Sequence, residues 1–136
     1  MDKKEDLIIE EKKKVPFVAL VGGELEEVRE GYSRLVLREV SKKHLNGNGW
    51  IHGGLIYTLC DSACGSLMDY YGDKSSTIEG KIQYLNNPKE TKSIICEASI
   101  LKRGNRISFI EVKVSNQKKE KIAAATFTYY SLKKSH

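Results

Sequence analysis

Between Leu55 and Leu67, apolar residues recur every three to four positions: Leu55, Ile56, Leu59, Cys60, Ala63, Cys64 and Leu67. That period is the stripe of a helix with a well-buried face. Gly72-Asp73 closes it. On its C-terminal side the period changes to two. Thr77 to Leu85, Ser93 to Lys102, Arg106 to Ser115 and Lys121 to Leu132 each alternate, separated by turn chemistry at Asn86-Asn87-Pro88, Gly104-Asn105 and Asn116-Gln117. On its N-terminal side, Pro16 to Gly22 is a short apolar segment ending in the turn signal Gly22-Gly23. Glu24 to Val40 then reads as one strand, or two with a bend at Gly31. Asn46-Gly47-Asn48-Gly49 is a loop, because Asn and Gly accept the positive φ angles of tight turns. The expected order is strand, one long central helix, then four strands joined by short connections. Short connections make antiparallel neighbours, and one sheet face must cover the helix, so the fold class is α+β.

Length and composition narrow this. The 136 residues form one domain by size, with a charged N-terminal arm over 1–15 and the folded domain over 16–136. The arm is expected to be helical around Asp6 to Lys14 and peripheral. The net charge of +5 raises nucleic acid, a membrane surface or a polyanionic small molecule as partners. Its distribution disfavours the first two: the lysines gather at the two ends, including Lys133 and Lys134, and no basic helix or aromatic-arginine recognition pattern appears. No apolar run spans a bilayer and the start lacks the build of a signal peptide, so a cytoplasmic protein is expected. Cys60, Cys64 and Cys96 form no CxxC pair and read as reduced packing residues. His44, His52 and His136 are scattered, so neither metal site nor cofactor is expected.

The chemistry concentrates at the helix. From Leu45 to Met68 the only formally charged side chain is Asp61, in a chain that is 30% charged. At about 100° per residue, Gly54, Tyr57, Thr58, Asp61, Gly65 and Met68 fall opposite the centre of the aliphatic stripe. This side is rich in small residues, so a ligand or another backbone can approach it closely, and a covering partner is expected. Gly53 and Gly54 sit where the helix begins, with backbone N–H groups suited to an anion or a polarised carbonyl. Asp61 lies two turns further in, too far along to cap the helix. It is either an interior acid held by a hydrogen-bonding partner or a carboxylate made more reactive by its cleft.

The run "NGNGWIHGGLIYTLCDSACG" resembles the hotdog-fold thioesterases, in particular the phenylacetate-degradation type: Asn, a short loop, His-Gly-Gly, and Asp eight residues after the first Gly. "TIEGKIQYLNNP" resembles the strand after the helix in that family, and "EASILKRGNRISFIEVKV" the later hairpin; the similarity runs from about Phe17 to Leu132. The resemblance implies one long helix wrapped by an antiparallel sheet, dimerising side by side and commonly paired into a tetramer, with acyl-CoA thioester sites between subunits. It implies that the Gly53 N–H stabilises the oxyanion and that Asp61 of the facing subunit activates water or attacks directly. Asn46 and Thr77 would position water or carbonyl, with His52 supporting the loop and Gly54 approaching the substrate. Lys102, Arg103 and Arg106 surround the Gly104-Asn105 turn and are expected to hold the phosphates of CoA, with Asn105 beside them. Two other functions fit the same fold: a hydratase or dehydratase using His52 and Asp61, and a module that binds acyl-CoA without turning it over.

Overall fold

The computed structural model describes residues 3–133; Lys134 and His136 lie outside the described residues. The long helix, α3 (Gly53–Tyr70), runs for 18 residues and buries Leu55, Ile56, Leu59, Cys60, Ala63, Cys64 and Leu67, the stripe read from the sequence. Met68 joins them, although helical spacing puts it on the opposite side. Gly72, at φ 74°, turns the chain out of the helix, a conformation glycine adopts at no steric cost.

Six strands form one antiparallel sheet. They are β1 (Gly23–Arg29), β2 (Tyr32–Leu37), β3 (Lys74–Tyr84), β4 (Ile94–Arg103), β5 (Ile107–Asn116) and β6 (Lys121–Lys133), in the spatial order β1-β2-β4-β5-β6-β3. Glu24 to Val40 therefore holds two strands, turned at Gly31. The sheet wraps the helix, which is the hotdog arrangement. Leu35, Ile94, Cys96, Ile110, Val112, Val114 and Phe127 face α3 and close the core with it. The three thiols are free and buried there, and burial pushes the Cys64 thiol well up from its ordinary range.

Two N-terminal helices complete the domain. In α1 (Lys3–Lys12), Ile8 and Ile9 pack against the core, Lys12 pairs with Asp69 at 3.4 Å and Lys4 lies over the Tyr70 ring. The arm thus covers the C-terminal end of α3 instead of standing apart. The apolar segment before Gly22 is a short helix, α2 (Pro16–Val21), started by Pro16 and stopped by Gly22 at φ 87°. No helix among the described residues is long and apolar enough to cross a membrane.

The placement of β3 matters most for the site. It follows α3 directly yet pairs with the last strand, β6, and not with β4, the antiparallel neighbour expected from the short connection at Asn86-Asn87-Pro88, so its outer edge has no neighbour among the described residues. None of its residues is fully buried. A register shift between Thr77 and Glu79 bulges the strand at Ile78, and Thr77 lies opposite Tyr129 of β6.

Candidate active site

The loop ahead of α3 is built by its own polar groups. Asn46 Oδ1 accepts from the backbone N–H groups of Asn48 at 2.9 Å and Trp50 at 3.1 Å, which folds 46–50 into a closed turn. Its side-chain oxygen is committed, and its amide N–H₂ remains to act as a donor. Next, His52 caps α3: its Nδ1 accepts from the Gly54 N–H at 2.8 Å. That bond puts the ring proton on Nε2 and occupies the Gly54 amide. The Gly54 N–H is therefore not available to a substrate carbonyl, contrary to the expectation from sequence. The Gly53 N–H makes no hydrogen bond among the described residues, and it stands at the positive end of an 18-residue helix.

Two residues given no role from the sequence brace this corner. Tyr84, at the end of β3, donates its hydroxyl to the Gly53 carbonyl at 2.6 Å, tying the first helical residue to the sheet edge. His44 is buried in a short turn; its Nδ1 accepts from Ser41 N–H and its Nε2 donates to Val21 O at 2.7 Å, while its carbonyl accepts from His52 N–H at 2.8 Å. It joins the end of α2 to the cap of α3. A lone histidine with no ligand spacing carries no such signal in sequence.

Asp61 is half-buried on the face of α3 that looks toward β3. Its Oδ1 accepts from the Thr77 hydroxyl at 2.7 Å and from the Tyr129 hydroxyl at 2.6 Å. Both donors converge on one oxygen. Oδ2 makes no hydrogen bond and Asp61 no ion pair among the described residues. Burial, and then the charge of Asp61, push the Tyr129 hydroxyl far up, so that it keeps its proton and serves as a donor. The structure thus brings Thr77 to Asp61, as the resemblance implies, and adds Tyr129. Its one available signal is a tyrosine on the inward face of a strand, whose hydroxyl needs a partner when buried.

Gly53 and Asp61 of the same chain are eight residues apart on one helix, about 12 Å along its axis. A nucleophile and an oxyanion donor must both lie about 3 Å from the reacting group. One chain alone therefore cannot bring the two to the same carbonyl.

The basic hairpin divides. Arg103 Nη2 binds Asp73 Oδ1 at 2.8 Å, and its guanidinium lies 4.3 Å over the Tyr71 ring. The Asp73 carboxylate is wholly buried and also accepts from Ser131 Oγ at 3.0 Å. Arg103 is thus the counter-ion of a buried acid, not a mobile arm for phosphates, which corrects its sequence assignment. Lys102 and Asn105 are exposed, and Arg106 is exposed with Nη1 on the carbonyl of Ser131 at 3.2 Å.

Comparison with known proteins places this geometry in context. The sequence pattern of the thioesterase superfamily matches residues 48–123. A putative esterase of Archaeoglobus fulgidus is 31% identical over 82% of this chain and 71% of its own length. Human acyl-coenzyme A thioesterase 13 is 31% identical over 63% of each chain. A hypothetical thioesterase of Streptococcus pneumoniae, solved with coenzyme A, superposes with a TM-score of 0.81 at 26% identity, over 91% of this chain and 98% of that one. That protein has also been solved with one aspartate and with one threonine replaced by alanine, positions as far apart in its sequence as Asp61 and Thr77 are in this one.

Proposed function

Because the chain belongs to the thioesterase superfamily, we propose that it hydrolyses acyl-CoA thioesters at a site shared by two copies of the chain. The observation that carries this is the Asp61 carboxylate, with Oδ1 clamped by Thr77 and Tyr129 and Oδ2 left to act. In the proposed site the Gly53 N–H of one subunit donates to the thioester carbonyl oxygen and stabilises the oxyanion that forms there. Oδ2 of Asp61 from the facing subunit takes a proton from water as the water oxygen bonds to the carbonyl carbon, or it attacks that carbon itself. The C–S bond then breaks and the thiolate of CoA leaves and takes up a proton; the first route releases the acid directly, and in the second water hydrolyses the acyl-aspartyl anhydride to the acid and free Asp61. The Asn46 amide is a donor for the water or carbonyl, and His52 keeps the helix start in shape.

The 12 Å separation within a chain supports a dimer, and so does the unpaired edge of β3, to which a second copy can add its own β3. A coenzyme A-bound relative supports CoA as the leaving thiol. The exposed Lys102, Asn105 and Arg106 are proposed to meet its phosphates, without Arg103. In the hydratase reading His52 serves as an acid or base, but its Nδ1 is tied to the Gly54 amide, which favours hydrolysis.

Release of free thiol from a panel of acyl-CoA esters tests the reading. Asp61→Asn keeps shape and hydrogen bonding but removes the charge, so turnover should fall about 10² to 10⁴-fold while acyl-CoA still binds. A folded Asp61→Asn protein with near-native kcat would return this carboxylate to a structural role.

A further inference from the structure

Glu79 and Lys81 stand on either side of Gly80 in β3, opposite Thr128 and Thr126 of β6, and both are exposed. Gly80 itself faces the core, where a Cβ would run into the Tyr57 hydroxyl and the Phe127 ring. Neither Glu79 nor Lys81 makes an ion pair among the described residues, whereas on the other side of the sheet Arg34 is paired with both Glu26 and Glu97. The two unpaired charges thus lie on the strand whose outer edge has no neighbour.

On the shared-site reading proposed above, the axis relating two copies is also fixed along α3. Exchange of Gly53 and Asp61 by a two-fold rotation puts the axis level with the residue halfway between them, Tyr57, four residues or about 6 Å from each. Tyr57 touches Gly80, so on β3 the axis lies level with Gly80. Opposed residues of antiparallel strands share a face, so a two-fold pair of β3 strands centres on a residue and not between two. A centre at Glu79 sets glutamate against glutamate, and one at Lys81 sets lysine against lysine. A centre at Gly80 sets Glu79 against the partner subunit's Lys81, and does so twice. We infer that two copies join β3 to β3 with Gly80 on the two-fold axis, and that the Glu79 and Lys81 pairs fix the register that brings Gly53 of one copy level with Asp61 of the other. Both are positioning residues. A slip to either neighbouring register would displace the copies by two residues, about 7 Å, and carry Asp61 away from the carbonyl it serves.

Cysteine cross-linking reads this register without substrate. Directly opposed residues have Cα atoms about 4.5 to 5.5 Å apart, within reach of a disulfide, and residues displaced by two do not. Glu79→Cys and Lys81→Cys subunits, produced together and oxidised by copper-phenanthroline in air, should link to each other, and neither should link to itself. The native Cys60, Cys64 and Cys96 are buried and should give no link. Charge reversal supplies the functional arm. Glu79→Lys alone and Lys81→Glu alone place like charges at both contacts, so each should weaken the dimer about tenfold at low salt in sedimentation, with thiol release falling in step. Mixed with each other, the two variants oppose unlike charges again and should regain both dimer and activity. Lys81→Cys or Glu79→Cys linking to itself, no link between the two kinds, or charge variants that fail to rescue one another would overturn the register. The predicted cross-link in a protein that releases no thiol from any acyl-CoA would leave the register standing and overturn the hydrolase reading instead.

Discussion

Asp61 is held by hydroxyl groups and not by a cation, and this shapes what it can do. An arginine at that distance would fix the carboxylate but pair its charge; two O–H donors on Oδ1 fix its orientation and leave the negative charge directed through Oδ2. Tyr129 is the stiffer of the two, buried between α3 and β6, and its hydroxyl lies 2.8 Å from the Asp61 carbonyl as well. As a positioning residue it should influence the chemical step more than binding. Tyr129→Phe is expected to lower kcat about tenfold with KM little changed, in line with the loss of one hydrogen bond to a charged group. A parallel change in KM and kcat in steady-state assays, or a loss confined to thermal stability, would assign Tyr129 to packing alone.

At the scale of elements, the two ends of α3 do different work. Its N-terminus keeps a donor in reserve, with a cap that consumes the Gly54 amide and spares that of Gly53. Its C-terminus is locked by Arg103, Asp73 and Tyr71. Removing Arg103 takes the counter-ion from the wholly buried Asp73 carboxylate, so Arg103→Ala should cost about 3 kcal/mol of stability in denaturant titrations. The KM for acyl-CoA should instead rise in a Lys102→Ala, Arg106→Ala double variant at low salt, where phosphate attraction is least screened. The reverse pattern would restore Arg103 to the phosphate site. The long helix and the strands in their order along the chain were legible in the sequence, because periods of 3.6 and two and turn residues are local signals, whereas the spatial order that sets β3 beside β6 and not beside β4 was hidden. The Arg103 pairing, the Gly54 cap and Tyr129 were hidden too. The first and last depend on which elements lie side by side, Arg103 meeting Asp73 from 30 residues away and Tyr129 meeting Asp61 from 68, whereas the Gly54 cap is a contact over two residues set by the orientation of the His52 ring. The N-terminal arm is helical, as its sequence suggests, and has no buried residue; the contact of Ile8 and Ile9 with the core is the part its lysine-rich sequence hides.

For the whole molecule, the outer face of the sheet is divided. On β1, β2 and β4 it carries a lattice of ion pairs, Arg34 with Glu26 at 2.5 Å and with Glu97 at 3.8 Å, and Arg38 with Glu24. Toward β5 and β6 it carries exposed Phe109, Tyr130 and Leu132. Exposed apolar patches of this kind mark contact surfaces. With the β3 edge proposed as the dimer seam, the Phe109 patch is a suitable second interface, joining dimers into a tetramer. Phe109→Glu together with Tyr130→Glu should then yield a dimer that keeps its activity, as seen by sedimentation; a double variant that dissociates to monomers would place the dimer seam on this face instead. The account as a whole rests on one site drawing Gly53 from one copy and Asp61 from another, and mixed oligomers test that directly. Gly53→Pro removes the N–H at a position where proline is compatible with a helix, at the cost of shifting the Tyr84 ring, which a Cβ there meets at 3.0 Å, and Asp61→Asn removes the charge. Each variant alone should be inactive. Hybrids carrying both kinds of subunit, isolated with two affinity tags, should regain activity on the order of one working site in two, because a two-fold pairing puts both defects in one site and neither in the other. Hybrids as inactive as their parents, with both variants folded and assembled, would contradict a shared site.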